Sequence, residues 1–511
     1  MNTICRISAA LCLLLTAGCV DLDEDPLGVI APDNFYQNES DAMASLVGAY
    51  QAVNNLNLTH LLNISGCVGF TIDSRFTYLM TGETPPSDAF LQNSWSTLYS
   101  GIRRANTTID RVAAMTNIGE ETKNRIVAEA RFLRALHHFD LVRTWGEVPL
   151  RVGETNNTNL ALPAAPREEI FAQIIQDLEA AIPHLARVGE VKPGRATQGA
   201  GKALLAKVYL HAASAARCAA EGNQGCAPYA VFASKQTEYF QKARDLAREV
   251  IDQSGFRLLD NWMDLWGIQN KTNREFIFSA LSITDDPSVG SSLGYLYTPI
   301  NSPYHPFAGH FGGFTYEFVL SYNRTDLRFT EGMIWDYTDV KTGKYVRWIR
   351  DLDDPKKLHD GSYYFVLTPK KYMDPTSTTF ISGSTLPLLR MADVYLMDAE
   401  AENELNGPTA DAFARINAVR QRVNLPPLDA STTPSRQALR DAIIQERLWE
   451  LALEQQDWFD LTRTGKLEER CRDLSLDWAG RDPPGSHPRA RNASHYRFPY
   501  PANEVATNPN L

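Results

Sequence analysis

The sequence lacks a hydrophobic run long enough to cross a membrane as a helix, which takes about 20 apolar residues. The apolar run near the N-terminus covers residues 7–17 and is too short, and no later segment of the 511 residues is both long and apolar enough. The mature chain is therefore expected to fold outside the bilayer, with ample length for a large hydrophobic core.

Basic residues are in deficit. The chain carries 50 Lys and Arg against 61 Asp and Glu, which gives a formal net charge of −11 at pH 7. Proteins that bind nucleic acid need clustered basic residues to neutralise the phosphates. Nucleic acid is therefore not expected as a partner.

Motifs for catalysis and for metal or cofactor binding are also missing. The sequence has no H-E-x-x-H, no paired C-x-x-C, no G-x-S-x-G, no P-loop and no dinucleotide fingerprint. The adjacent His137 and His138 would point about 100° apart on a helix, so they could not chelate one metal ion from one face. The acid-rich segments 336–344 and 351–361 do not fit the calcium loop and are interpreted as solvated turns. No metal, cofactor or catalytic residue is predicted.

Cysteine is scarce, with seven in the whole chain. Four of them follow the N-terminal segment: Cys67, Cys218, Cys226 and Cys471. The segment CAAEGNQGC closes a short polar loop between Cys218 and Cys226, so this pair is the best candidate for a disulfide. Four cysteines still allow three pairings, and sequence cannot choose among them.

Residues 1–18 are predicted to be a lipoprotein signal peptide. Arg6 supplies a positive charge, the apolar run follows, and the residues TAG lead directly into Cys19. This arrangement resembles a bacterial lipobox, in which the cysteine is lipidated and becomes the new N-terminus. An ordinary secretory signal followed by a chance cysteine is the alternative. Residues 19–39 are then the lipidated cysteine and an acidic tether.

Apolar residues recur every three or four positions along most of the chain, which is typical of amphipathic helices. Breaks containing glycine and proline separate the helical stretches. Two helices per about 34 to 45 residues is the spacing of stacked hairpins of tetratricopeptide type, although no clean consensus repeat is present. The sequence therefore predicts an all-α fold. The main predicted helices cover residues 40–53, 95–115, 120–145, 167–186, 197–217, 236–253, 390–405, 409–422 and 435–456.

Two regions, residues 55–94 and 284–388, depart from the helical pattern and are predicted to be loop-like. The second is rich in aromatic residues: 17 of the 71 positions from 295 to 365 are aromatic, about 24%, compared with 10% for the whole chain. Loops held on a rigid scaffold often carry binding residues. Residues 284–388 are therefore predicted to be an aromatic insertion between the helical parts 40–283 and 389–511 of a single large domain.

Several segments, spread over nearly the whole mature chain, form a recognisable combination. They include WSTLYSGIRRAN (95–106), EARFLRALHHFDLVRTWGEVPL (129–150), RATQGAGKALLAKVYL (195–210), LPLLRMADVYLMDAEAENEL (386–405) and IIQERLWELALEQQDWFDLTRTG (443–465). Together they resemble the SusD/RagB family of nutrient-binding outer-membrane lipoproteins. The resemblance implies an all-α fold with tetratricopeptide-like helix pairs and long ligand-binding loops.

The resemblance also implies a function. Such proteins are non-catalytic, lie lipid-anchored at the outer membrane, and capture glycans for a TonB-dependent, SusC-like transporter; some members capture peptides instead. The acids after Cys19 then have two interpretations, a solvated tether or a signal for export to the cell surface of the kind found in Bacteroidetes. These acids are Asp21, Asp23, Glu24 and Asp25.

A sugar presents apolar C–H faces ringed by hydroxyl groups, so its binding site needs flat aromatic rings and a few convergent polar groups. The candidate ligand-binding residues are taken from the two loop-like regions, although core packing is a strong alternative for each ring. They are Asp73, Arg75, Tyr78, Tyr295, Tyr297, Tyr304, His305, Phe314, Trp335, Tyr337 and Trp348. Trp95 and Trp145 lie in helical motifs and are assigned to packing.

Two other functions remain open at this point. The first is peptide capture by the same fold, and the second, from a different class, is a secreted hydrolase. Glu446, Glu450 and Glu454 follow one another at helical spacing and raise the hypothesis of a glycosidase pair, but that chemistry needs an open cleft. The apolar residues around them favour a structural role in a packed helix.

The predicted lipid anchor can be tested by replacing the acceptor cysteine. A Cys19→Ala protein should fold and bind its ligand as the natural protein does, but it should fail to partition into the membrane fraction, because no acyl chain holds it there. Membrane fractionation with immunodetection measures this. Continued membrane association of the variant would contradict the anchor.

Overall fold

The computed structural model describes residues 35–71, 73–156, 158–309, 311–347, 367–472 and 490–511. The predicted signal peptide, Cys19, its acidic neighbours and Trp348 lie outside these ranges. Within them, no helix combines the length and the apolar character that spanning a membrane requires.

The fold is all-α, with tetratricopeptide-like helix pairs, as the apolar spacing predicts. The helices, in chain order, are α1 (Glu39–Tyr50), α2 (Leu56–Ser65), α3 (Thr77–Thr81), α4 (Ala89–Ala114), α5 (Glu120–Trp145), α6 (Arg167–Ala181), α7 (Gln198–Ala220), α8 (Gln236–Gln253), α9 (Leu293–Tyr297), α10 (Tyr316–Leu320), α11 (Leu327–Thr330), α12 (Met391–Asn406), α13 (Ala410–Gln421), α14 (Arg436–Glu450), α15 (Asp457–Thr464), α16 (Leu467–Cys471) and α17 (Ala502–Thr507).

Consecutive long helices pack against each other as hairpins. Helix α4 packs against α5, α5 against α6, α7 against α8, and α12 against α13 and α14, while α8 also packs against α12 and so joins the two helical parts. Trp95 of α4 and Trp145 of α5 meet edge to face with ring centroids 5.2 Å apart, and both are buried. Their predicted packing role is confirmed.

The predicted loop region 55–94 was only partly right, because it contains α2, α3 and the start of α4. Helix α2 is buried along nearly its whole length, so it has no polar face that would reveal a helical period. Its N-cap is Asn55, whose side chain accepts from the Leu58 N–H. The N-cap of α4 is Asp88, whose carboxylate accepts from the Leu91 N–H in the same way.

Short strands form two-stranded antiparallel sheets, and the β1–β3 and β2–β6 pairs join distant segments of the chain. They are β1 (Gly69–Thr71), β2 (Phe276–Ala280), β3 (Gly312–Phe314), β4 (Asp336–Thr338), β5 (Tyr345–Arg347) and β6 (Leu386–Arg390), paired β1–β3, β2–β6 and β4–β5. The acid-rich segment 336–344 thus forms a hairpin, whose Asp339 carboxylate accepts from the N–H groups of Lys341 and Thr342. This agrees with its interpretation as a turn.

The structure joins Cys218 and Cys226 by a disulfide, with Cα atoms 5.8 Å apart. This is the pair that the sequence favoured. It closes the polar loop after α7. Cys67 and Cys471 are buried.

Ten buried charged side chains of the described residues form one connected cluster, here called the buried charge network. Its centre is Glu450, whose Oε1 lies 2.6 Å from Arg390 Nη1 and 2.6 Å from Arg422 Nη2, while its Oε2 lies 2.9 Å from Arg328 Nη1. The full set is Glu275, Asp326, Arg328, Lys371, Arg390, Arg420, Arg422, Glu446, Glu450 and Glu454. The acids at helical spacing therefore have the structural role that their apolar surroundings suggested.

Removing the central carboxylate should strongly destabilise the protein. Glu450→Gln would leave the guanidinium groups of Arg328, Arg390 and Arg422 buried with too little negative charge, and breaking such a buried pair costs about 3–5 kcal/mol. The free energy of unfolding from urea denaturation measures this. Glu238→Gln is the control, since Glu238 is exposed and its pair with Lys242 is solvated. Equal stability of the two variants would contradict the role of the network.

The same carboxylate predicts a pH dependence. Burial opposes ionisation of Glu450, but the charges of Arg422 and Arg390 outweigh it and hold its pKa well below its usual range. A carboxyl with a lowered folded-state pKa stabilises the fold above its unfolded pKa, about 4.3, and loses this contribution as the pH falls. The difference in free energy of unfolding between the natural protein and Glu450→Gln should therefore be largest at pH 7 and should decrease below about pH 4. A constant difference would contradict this.

Candidate functional site

The two predicted loop-like regions meet through the β1–β3 pair. In its register, Gly69 lies opposite Phe314 and Thr71 opposite Gly312. The Thr71 hydroxyl donates to the carbonyl of Phe311 at 2.9 Å, and the N–H of Thr315 donates to the carbonyl of Val68 at 2.8 Å. Segments more than 200 positions apart in the sequence are thereby fixed side by side.

A cavity of about 320 Å³ opens where these segments meet, here called the aromatic cavity. Its walls come from α2, the turn before α3, the start of α4, α9 and the segments around positions 311 and 380. The lining residues are Leu56, Asn57, His60, Asp73, Arg75, Phe76, Phe90, Ser292, Tyr295, Leu296, Phe311 and Phe380. The cavity is thus mainly apolar, with a few polar groups.

One wall is made of three rings. The Tyr295 centroid lies 5.4 Å from that of Phe311, with the two rings tilted by 44°, and 6.1 Å from that of Phe380, which it meets edge to face at 66°. Phe380 is 59% exposed, and Tyr295 and Phe311 are half-buried. Since apolar rings this accessible are open to contact, the wall can stack against a flat apolar face.

The facing side contains a second ring cluster around His60. The imidazole centroid lies 4.7 Å from that of Phe90 and 5.9 Å from that of Phe76. Burial lowers the pKa of His60 to about 4, so the ring is neutral at pH 7 and carries one donor and one acceptor. Neither nitrogen has a hydrogen-bond partner among the described residues. Both nitrogens are themselves buried, so a ligand in the cavity would meet the His60 ring as part of the apolar wall.

Asp73 and Arg75 form the charged corner of the aromatic cavity. Arg75 Nε donates to Asp73 Oδ1 at 2.9 Å, and Arg75 Nη2 donates to Oδ2 at 2.6 Å. This hydrogen bond from Arg75 lowers the pKa of the Asp73 carboxyl, which is therefore ionised. The Arg75 side chain is 74% exposed, so its remaining N–H groups face solvent and can reach a polar ligand.

Asp285 holds the loop that carries Phe380. Its carboxylate accepts from the Ser377 hydroxyl at 3.0 Å, from the N–H and hydroxyl of Thr378 at 3.0 and 2.6 Å, and from the N–H and hydroxyl of Thr379 at 3.1 and 2.8 Å. These bonds, first of all the one from the Thr378 hydroxyl, hold the pKa of Asp285 well below its usual range. The carboxylate thus orders a segment next to the cavity wall.

The structure brings three of the sequence-predicted site residues together in the aromatic cavity: Asp73, Arg75 and Tyr295. Tyr78 lies behind the wall, with its ring centroid 6.4 Å from that of Phe76 and its hydroxyl donating to Asp88. Tyr304 and Trp335 are half-buried outside the cavity, and the Trp335 N–H donates to the carbonyl of Phe329. Trp348 is not among the described residues.

Four of the sequence-predicted site residues must be corrected, because they lie in the core. Tyr297, His305, Phe314 and Tyr337 are each less than 10% exposed. Tyr297 packs against Tyr372, Phe314 is fixed in β3, and the Tyr337 hydroxyl donates to the carbonyl of Ile300. Their rings have no face open to a ligand in this structure.

Sequence reasoning missed other residues of the aromatic cavity. They are Leu56, Asn57, His60, Phe76, Phe90, Ser292, Leu296, Phe311 and Phe380. Phe311 lies inside the aromatic-rich window and could have been chosen, but Phe380 lies beyond it, and Phe76 and Phe90 stand in a region without an aromatic excess. Only the β1–β3 pairing shows that they face one another.

Two family models match this chain. One, described as the SusD family, matches residues 287–511. The other, described as starch-binding associating with outer membrane, matches residues 40–210. The second match covers the N-terminal helices, and the first covers the aromatic region and the C-terminal helices.

Individual proteins are similar over nearly the whole chain. A SusD-like protein from Formosa agariphila is 27% identical over 96% of this chain and 94% of its own length. The crystal structure of a SusD superfamily protein from Parabacteroides distasonis superposes with a TM-score of 0.76 at 22% identity, over 93% of this chain and 98% of that one, which shows a shared fold. A laminarin binding SusD-like protein superposes with a TM-score of 0.70 at 25% identity, over 92% and 98%.

The role of Asp285 in ordering the Phe380 loop can be measured directly. Asp285→Ala removes the acceptor of the Thr378 and Thr379 N–H groups, so their amide hydrogen exchange should accelerate by roughly tenfold or more, the equivalent of one or two lost hydrogen bonds. Asp286→Ala is the matched control, because Asp286 accepts only within its own turn, from Ser288. Unchanged exchange in Asp285→Ala would show that the loop is ordered by other contacts.

Proposed function

The chain belongs to the SusD/RagB family, and from this premise we propose that it is a carbohydrate-binding protein that captures a glycan in the aromatic cavity without catalysing a reaction. The observation that carries the proposal is the pairing of exposed rings with unused hydrogen-bonding groups. Tyr295 and Phe380 offer apolar faces, while the exposed Arg75 offers N–H groups beyond those that it donates to Asp73.

The chemistry of the aromatic cavity fits a sugar. The C–H face of a pyranose ring can stack on the Tyr295–Phe380 wall, and its hydroxyl groups can then meet the Asp73–Arg75 pair. The volume of about 320 Å³ lies at the small end of ligand sites. The cavity therefore suits a short stretch of a longer glycan whose remaining residues extend into solvent.

The placement of the carboxylates supports a binding protein rather than a hydrolase. A glycosidase uses two carboxyl groups that flank the scissile bond across an open cleft. Among the described residues that line the aromatic cavity, Asp73 is the one carboxylate, and it is held by Arg75. Glu446 and Glu450, the pair at helical spacing, are buried in the buried charge network.

The cellular setting follows from the family and from the N-terminus. We infer that Cys19 carries the lipid anchor, that the protein lies at the outer membrane with its body exposed at the cell surface, and that it delivers its glycan to a SusC-like, TonB-dependent transporter. The description of the matched model, starch-binding associating with outer membrane, supports the location. Co-purification of a large outer-membrane protein with the tagged, lipidated chain tests the transporter.

Glycan capture can be tested by affinity electrophoresis in native gels cast with a panel of polysaccharides. The protein should migrate more slowly in gels with its cognate polysaccharide. Phe380→Ala and Tyr295→Ala should each weaken binding about five- to tenfold, as expected for the loss of one stacking ring. Tyr345→Ala is the matched control: Tyr345 is 65% exposed in the β4–β5 hairpin and does not line the cavity.

Three outcomes would count against this proposal. Unchanged mobility with every polysaccharide, together with binding of oligopeptides, would favour peptide capture by the same fold. Release of reducing sugar by the purified protein would favour the hydrolase. Equal weakening by Tyr345→Ala would place the glycan outside the aromatic cavity.

A further inference from the structure

A second cavity, of about 300 Å³, shares no lining residue with the aromatic cavity. It lies between the end of α5, the start of α6, α7, α15 and the segment around residues 493–497. Four arginines line it: Arg143, Arg167, Arg463 and Arg497. No carboxylate is among its described lining residues, although acids outnumber bases in the chain as a whole. We call it the arginine cavity.

Arg143 is buried with part of its hydrogen-bonding capacity unused. Its Nη2 donates to Asp140 at 2.6 Å, but its Nε–H has no acceptor among the described residues. The guanidinium lies between two rings, with Cζ 4.0 Å from the centroid of Phe139 and 3.7 Å from that of Phe459. Burial lowers the pKa of Arg143 against the opposing effect of Asp140, so its positive charge is only partly compensated.

Arg167 and Arg497 share a single acid. Glu147 lies 3.2 Å from Arg167 Nη2 through Oε1 and 3.9 Å from Arg497 Nη1 through Oε2. The Arg167 side chain is 5% exposed, and its Nε–H also has no acceptor among the described residues. A Cβ at Gly146 would come within 2.8 Å of Arg167 Nη2, so glycine at this position lets the backbone approach the guanidinium closely.

The remaining polar groups of the arginine cavity add no negative charge. The Tyr229 hydroxyl lies 3.0 Å from His211 Nε2, and burial lowers the pKa of His211 well below its usual value, so this imidazole is neutral. The Arg463 guanidinium is satisfied by Glu400 and Asp460. Positive charge that is not fully paired therefore comes from Arg143, Arg167 and Arg497.

We propose that the arginine cavity is a binding site for one oxyanion, a sulfate, phosphate or carboxylate group, either free or carried by a sugar. Guanidinium groups form short, charge-assisted and often paired hydrogen bonds with such groups. An oxyanion in the cavity would place negative charge beside the buried guanidinium groups of Arg143 and Arg167, which are otherwise only partly compensated. It would also give Arg167 and Arg497 the negative charge that one carboxylate cannot provide to both.

The test is equilibrium dialysis of the full mature protein against radiolabelled inorganic sulfate in a buffer of low ionic strength. The natural protein should bind about one equivalent, displaced by phosphate and not by chloride at equal ionic strength. Arg167→Gln and Arg497→Gln should each weaken binding about tenfold, which corresponds to one lost charge-assisted hydrogen bond. Arg497 is 60% exposed, so its replacement leaves the fold intact even if Arg167→Gln does not fold.

Arg257→Gln is the matched control, since it removes one exposed positive charge away from the arginine cavity. No saturable sulfate binding by the natural protein would overturn the proposal, and so would an equal loss in Arg257→Gln. Competition with glucose 6-sulfate and with glucuronate distinguishes the sources: tighter binding than the free anion indicates a group carried by a sugar, and equal or weaker binding indicates a free anion. Retardation by neutral polysaccharides tests the aromatic cavity separately.

Discussion

The buried charge network around Glu450 is the interaction on which the rest of the structure depends. It joins helix α14, strand β6 and the segment after α13 to residues of the aromatic region such as Arg328 and Lys371. Buried ion pairs add little net stability compared with apolar packing, but they tolerate the loss of a partner poorly. The network therefore acts as a constraint on geometry: it fixes how the irregular region docks on the helical scaffold.

The geometry of the candidate site depends on this constraint. The aromatic region is held to the scaffold by the buried charge network and to the N-terminal part by β1–β3, and Asp285 then orders the Phe380 loop locally. Together these contacts hold rings from distant segments close to one another, so that Tyr295 and Phe380 form one wall.

Sequence predicted the helices well and the site only in part. Amphipathic helices are recognised by a period of three to four residues, but α2 is buried along nearly its whole length and has no such period. The aromatic side chains that could contact a ligand are harder to predict, because the exposure of a ring depends on the path of the folded chain. Tyr295 and Tyr297 stand two positions apart on α9, so their side chains point about 200° apart; one lines the aromatic cavity and the other is in the core.

The apolar shell of His60 has a consequence for the conditions in which the cavity can work. With a pKa of about 4, fewer than roughly one in ten of these rings carries a proton at pH 5. Asp73 is already ionised and Arg75 stays charged, so the pattern of donors and acceptors is the same in neutral and in mildly acidic surroundings. Acidification of the surroundings to about pH 5 would therefore leave the charges that line the cavity unchanged.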